Sequence, residues 1–263
     1  MSGLEAQVDG LGLDGSLALL GSGLAGADTI RVELPGRIGQ AFTVASGDGD
    51  DSIVLGGGGG LLHAAAGAGR DTITLLSDHH HVDGGDGLDT VVFQGARADY
   101  TVRKNGLMVE VAGAGGGAQL GEVERLRFGK DMLAFDTDGS AGQVYRIYRA
   151  ALDRAPEKDG LGFWISVLDR LGDTDVVAQG FLASGEFADR YGTNTSNARY
   201  VTDLYNNVLH RPYEQTGYDF WLSKLDQGVA RSLVLAAFAE SPENKAQVLA
   251  AIQDGIEYTL YGA

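Results

Sequence analysis

GGDGLDTVV, residues 84–92, fits a nine-residue template of Gly-Gly-x-Gly-x-Asp-x-apolar-x at every fixed position. The same template recurs upstream. AGAGRDTIT (66–74) and SGDGDDSIV (46–54) each lose only the first glycine. GLAGADTIR (23–31) keeps the fourth-position glycine, the aspartate and the isoleucine. Four nonamers run without a gap from 57 to 92, and the register slips by two residues between 54 and 57.

The repeat has a physical reading. Glycine accepts the positive-φ turns that other residues resist. The Asp-x-apolar triplet opens a short strand whose apolar side chain points inward. Two nonamers then make one coil of a flattened parallel roll. This places Ile53, Ile73 and Val91 in one sheet, with Ala64 and Val82 in the opposite sheet. Each coil leaves carboxylates and turn carbonyls at its edge. Those are the hard oxygen ligands that calcium takes at coordination numbers of about 6–8. In the alternate nonamers the aspartate position holds Phe42, Leu62 and His80. These residues are not calcium ligands, so calcium is expected along one edge only, at about one to three ions.

This half resembles the RTX, or hemolysin-type calcium-binding, repeat. The resemblance implies a parallel β-roll with calcium held between loops two nonamers apart. Carried over by position, Asp71 and Asp89 lie on one edge, Asp51 joins them across the slip, and Asp28 extends the row. Asp48 and Asp86, at the third position, either contribute or are merely solvated. Residues 95–136 resemble the flank that follows such rolls. GARADYTVRKNGLMVEV reads as two alternating strands around Asn105-Gly106, a hairpin signal. GEVERLRFGKDMLAFD reads as a further strand pair that caps the open sheet edge.

Composition agrees with a carrier of cations. The 263 residues have a formal net charge of -16, which argues against nucleic acid and anionic membranes as partners. There is no cysteine, so disulfides and thiolate metal sites are excluded. No stretch is apolar for long enough to span a membrane. SLALLGSGLAGA (16–27) looks like a signal-peptide core, but Glu5, Asp9 and Asp14 precede it without any Lys or Arg. An export address is therefore expected elsewhere.

Of the 41 glycines, 31 fall in residues 1–142, and composition changes near 138–142. Beyond that point a second repeat appears at a period of 57. YRAALDRAPEKDGLGFW (148–164) aligns with YNNVLHRPYEQTGYDFW (205–221), and GFLASGEF (180–187) with AFAESPEN (237–244). Val144, Ile147, Tyr148, Ala151 and Leu152 have helical spacing, as do Val201, Leu204, Tyr205, Val208 and Leu209. Ser241-Pro242-Glu243 is a helix start, and Ser184-Gly185-Glu186 a poorer one. Each unit reads as three or four short helices, with Trp164 or Trp221 in its core. This half resembles a bacterial family of unknown function often appended to RTX and surface-layer proteins, whose repeats are similar to phycobilisome linker domains.

Other features have plainer explanations. His79-His80-His81 can present at most two imidazoles to one face of a strand, and a solvated roll edge accounts for them. The aromatics Trp164, Trp221, Tyr148 and Tyr205 read as core rather than as a sugar platform. The acids of loops 153–160 and 210–217 read as helix-turn-helix caps rather than calcium ligands. GLGLDG (10–15) has the spacing of a dinucleotide loop, which chance supplies in a glycine-rich repeat. No catalytic motif appears, and the chain reads as a non-enzyme.

The expectation is an α+β multidomain fold. Residues 1–140 form an RTX-like parallel β-roll with a β cap, and residues 141–263 form an all-α domain of two 57-residue repeats. The resemblance implies a secreted protein at the cell surface or outside the cell. It would leave through type I secretion machinery, with residues 255–263 the place for a carboxy-terminal signal unless they finish the last helix. It would fold on external calcium and assemble with itself into a surface layer, filament or adhesin. The rival reading is a module that binds cell-surface glycan beside a secreted enzyme.

Overall fold

In the computed structural model the described residues are 5–9, 17–20, 26–34, 42–57, 61–77, 80–113 and 116–262. His79 and residues 10–15 lie outside them. The chain divides into two compact units, 1–135 and 136–263.

The first unit is a two-sheet roll. Its strands are β1 (Glu5–Asp9), β2 (Leu17–Leu20), β3 (Thr29–Leu34), β4 (Phe42–Asp48), β5 (Ser52–Gly57), β6 (Leu62–Gly69), β7 (Thr72–Leu75), β8 (His80–Gly87) and β9 (Thr90–Phe93). They fall alternately in two sheets, so each coil contributes one strand to each. The odd strands pair in parallel in the order β1-β3-β5-β7-β9, and the even strands in the order β8-β6-β4-β2.

The register carries the core. Ile30, Ile53, Ile73 and Val91 stand opposite one another in the first sheet. Val44, Ala64 and Val82 do so in the second. All seven are buried. Burial alternates along β3, β4, β6, β7, β8 and β9, as expected when one face of a sheet packs inward. The Phe42, Leu62 and His80 positions also form one row of the second sheet, facing the core. His80 is 2 % exposed, so the expectation of a solvated edge is corrected there. The alternation that sends Leu62 inward sends His80 inward too.

Glycine is required where coils stack. Gly69 and Gly87 have φ of 152° and 153°. A Cβ on Gly69 would lie 2.1 Å from the Gly49 carbonyl oxygen, and one on Gly87 would lie 1.7 Å from that of Gly69. Only a residue without a side chain fits both the backbone angle and the spacing.

The cap completes the roll. β10 (Thr101–Asn105) and β11 (Met108–Gly113) form the hairpin at Gly106, whose φ is 63°. β12 (Gly116–Gly121) pairs antiparallel with β11 and parallel with β8. β13 (Arg125–Phe128) pairs parallel with β9 and antiparallel with β14 (Asp131–Ala134). The flank is thus a last coil closed by hairpins. Leu120, Leu126 and Phe128 continue the buried rows.

The second unit holds α1 (Ser140–Leu152), α2 (Lys158–Leu171), α3 (Thr174–Leu182), α4 (Gly185–Tyr191), α5 (Asn197–Asn207), α6 (Gln215–Asp226), α7 (Arg231–Ala239) and α8 (Pro242–Ile252). Each helix of the second four starts 57 residues after its counterpart in the first four. Ser184 and Ser241 cap α4 and α8, accepting hydrogen bonds from the Phe187 and Asn244 backbone amides. Two expectations are corrected. Trp164 and Trp221 are half-buried rather than core, and Tyr148, Tyr200 and Tyr205 are buried instead. The last segment does not finish the last helix either, because Ile256–Thr259 forms a strand, β15, against α2. Gly162 of α2 allows this approach, since a Cβ there would lie 1.8 Å from the Thr259 carbonyl oxygen. Its counterpart in α6 is Asp219, and the counterpart of Phe163, Phe220, is 52 % exposed.

Candidate metal centre

Four of the six aspartates singled out in the sequence come together in one column. Asp28, Asp51, Asp71 and Asp89 each sit just before a strand of the first sheet, one per coil, and each is no more than 2 % exposed. They are linked coil to coil. The Asp28 amide donates to Asp51 Oδ1 at 2.7 Å. The Asp51 amide donates to Asp71 Oδ1 at 2.8 Å, and the Asp71 amide to Asp89 Oδ1 at 2.9 Å. The column ends on a residue the nonamer template does not contain: the Asp89 amide donates to Glu124 Oε2 at 2.9 Å. Glu124 stands 35 residues beyond Asp89, in the cap segment before β13, so no repeat spacing points to it.

These carboxylates are half satisfied. One oxygen each of Asp51, Asp71 and Asp89 accepts a backbone N–H. The other oxygens of Asp51, Asp71 and Asp89 are buried without a protein hydrogen-bond partner. Burial pushes the Asp71 carboxyl up to about 6 and the Asp89 carboxyl up to about 7, against the backbone hydrogen bonds that favour the charged form. Neighbouring carboxylates raise both further: Asp51 and Asp50 act on Asp71, and Asp71, Glu124 and Asp83 act on Asp89.

Asp48 and Asp86 differ. Both side chains are exposed, at the outer end of the second sheet's strands. The structure does not bring them into the column. Among the described residues no three His, Asp or Glu side chains converge on one point. A cation seated beside the column would therefore take one or two carboxylates and complete its shell from carbonyl oxygens of the glycine turns and water.

The helical loops offer no rival site. In the first repeat Arg154 forks onto Glu186, at 2.5 and 2.8 Å, pairs with Glu157 and lies over the Tyr148 ring. In the second, Arg211 forks onto Glu243, at 2.7 and 3.0 Å, pairs with Glu214 and lies over the Tyr205 ring. Tyr148 donates to Glu157, and these bonds, with Arg154, hold the Glu157 carboxyl down at about 2. Glu157 and Glu214 are thus matched to arginine, and in each repeat that arginine ties the first loop to the fourth helix.

No curated protein and no solved structure matches the chain. Residues 178–248 match one family model, running from the second half of α3 into α8. The helical half therefore carries a DUF4214 domain, a domain of unknown function, at residues 178–248.

Proposed function

We propose that the roll binds calcium along its aspartate column, and that calcium orders this unit of a secreted, self-assembling surface protein. The observation that carries the reading is the set of buried carboxylate oxygens on Asp51, Asp71 and Asp89 that no protein donor meets. A buried anion without a partner is costly. Coils of a sheet repeat at about 4.8 Å, so the column also stacks like charges. A divalent cation removes both penalties, and the oxygen-only surroundings select a hard one. Calcium binding would then couple to folding, which suits a chain exported unfolded into a calcium-rich medium. Asp51, Asp71 and Asp89 are the principal ligands on this reading, Asp28 and Glu124 end the row, and Asp48 and Asp86 are solvated.

Far-UV circular dichroism of the full chain with calcium and with EDTA tests the coupling. Strand signal is expected to rise on adding calcium while the helical signal stays. A spectrum indifferent to chelation would sink the claim. Self-assembly is checked by light scattering on calcium addition, where a persistent monomer at high concentration counts against it.

A further inference from the structure

The outer face of the second sheet carries an imidazole pair that the calcium reading does not use. Parallel pairing of β6 with β8 sets His63 directly opposite His81. Pairing with β4 and β12 places Thr43 and Gln119 at the ends of the same row. Strand alternation sends Leu62, Ala64 and Val82 into the core and leaves His63 and His81 half-exposed on the outside. The two rings are tilted by 40° with centres 5.1 Å apart. His81 Nε2 hydrogen-bonds Gln119 Oε1, which puts the ring proton on Nε2 and leaves the lone pair on Nδ1. The row opens into a cleft of about 570 Å³, whose lining includes Asp83, Leu107, Met108 and Glu122. Gly121 also lines this cleft.

We propose that His63 and His81 together bind one divalent transition-metal ion of the imidazole-preferring class, copper(II) or zinc(II). A metal that takes one nitrogen from each ring at about 2.0–2.1 Å, with a tetrahedral angle between them, sets the ring centres about 5 Å apart. The pair already has that spacing. Gln119 orients one ring, as partners of metal-bound histidines do. With no third His, Asp or Glu closing a cage among the described residues, the site is open. Water, or Asp83 after a side-chain movement, fills the remaining positions, and binding in the micromolar range follows. Calcium prefers oxygen and does not compete for imidazole, so this site is independent of the aspartate column. His80, between the two in the row of names but not in space, faces the core and bonds Ser77.

The test is a copper(II) titration of the full chain in saturating calcium, read by calorimetry and by electron paramagnetic resonance. One tight equivalent per chain is expected, with hyperfine splitting from two nitrogens. His63→Ala and His81→Ala are each expected to weaken binding about tenfold or more and to leave one nitrogen. Gln119→Leu is expected to weaken it about tenfold while keeping both nitrogens. His79→Ala and His210→Ala are expected to change nothing. His63 and His81 are half-exposed, so circular dichroism should show each of these two variants folded, and if one unfolds the other decides. Unchanged affinity in a folded His63→Ala or His81→Ala variant overturns the proposal. So does loss of binding in His79→Ala, or the absence of a stoichiometric site at tens of micromolar copper.

Discussion

Asp89 concentrates the chemistry of the roll. It is fully buried, holds the Asp71 amide with one oxygen and has no protein partner for the other. Replacing it by asparagine keeps an acceptor for that amide and removes the charge. Asp89→Asn is therefore expected to raise the thermal stability of the calcium-free roll and to lower calcium affinity about tenfold or more. Thermal melts in EDTA and in calcium would show opposite signs. A fall in both would mean that Asp89 is structural only. The pH dependence follows from the same residue. A carboxyl whose folded value is raised, here to about 7 for Asp89 and about 6 for Asp71, stabilises the fold below the unfolded value near 3.8. That contribution is lost as pH rises through 6 to 7. The calcium-free roll is thus expected to melt on the order of 10 °C lower at pH 7.5 than at pH 4.5, with calcium abolishing the difference. At this scale the sequence pointed to the four aspartates that line up in one column and missed their burial. The template shows which residues repeat but not which way a side chain turns at a strand start. Glu124 was out of reach because the cap supplies it outside the nonamer.

At the scale of elements, the glycine columns and the helix starts were legible because local chemistry dictates them. The Asn105-Gly106 signal marks the hairpin, and Ser184 and Ser241 mark helix starts. Gly87→Ala tests the coil stacking. Its Cβ would overlap the Gly69 carbonyl at a φ that L residues avoid. Loss of cooperative folding of the roll is expected, even in calcium, whereas Gly106→Ala, with nothing within 4 Å of its Cβ, should be far milder. What the helical pattern concealed was which aromatic lies deepest. Trp164 and Trp221 share the apolar side of their helices, yet Trp164 packs its ring over Gly180 at the rim while Tyr148 and Tyr205 go inside. Periodicity fixes the side of a helix and not its depth. The long-range pairing of buried Arg146 of α1 with Glu240, just beyond α7, was equally invisible, since nothing local links residues 94 apart. Glu240→Gln leaves that guanidinium buried and underpaired. A loss of about 3 kcal/mol in denaturant unfolding of the helical unit is expected.

The whole molecule joins two units with different sources of stability. The roll stacks glycine turns and buried carboxylates, and its rows of Ile, Val and Leu are short. The helical unit has capped helices, a large aromatic core and arginine–carboxylate clamps in both repeats. Calcium should act on the first and not the second. Differential scanning calorimetry is expected to resolve two transitions, of which only one moves upward with calcium. A single transition that shifts as a whole would tie the units together energetically. Fold class was readable from the two repeat periods, nine and 57, because each period belongs to one architecture.

The aspartate column is the claim on which the rest depends, and calcium titration calorimetry tests it most directly. Wild-type chain at pH 7.5 is compared with an Asp71→Asn/Asp89→Asn double variant. The wild type should bind about one to three calcium ions with release of protons, and the double variant should lose most of that heat while its helical signal is unchanged. Equal calcium binding by the two proteins, or none by the wild type, would contradict the account.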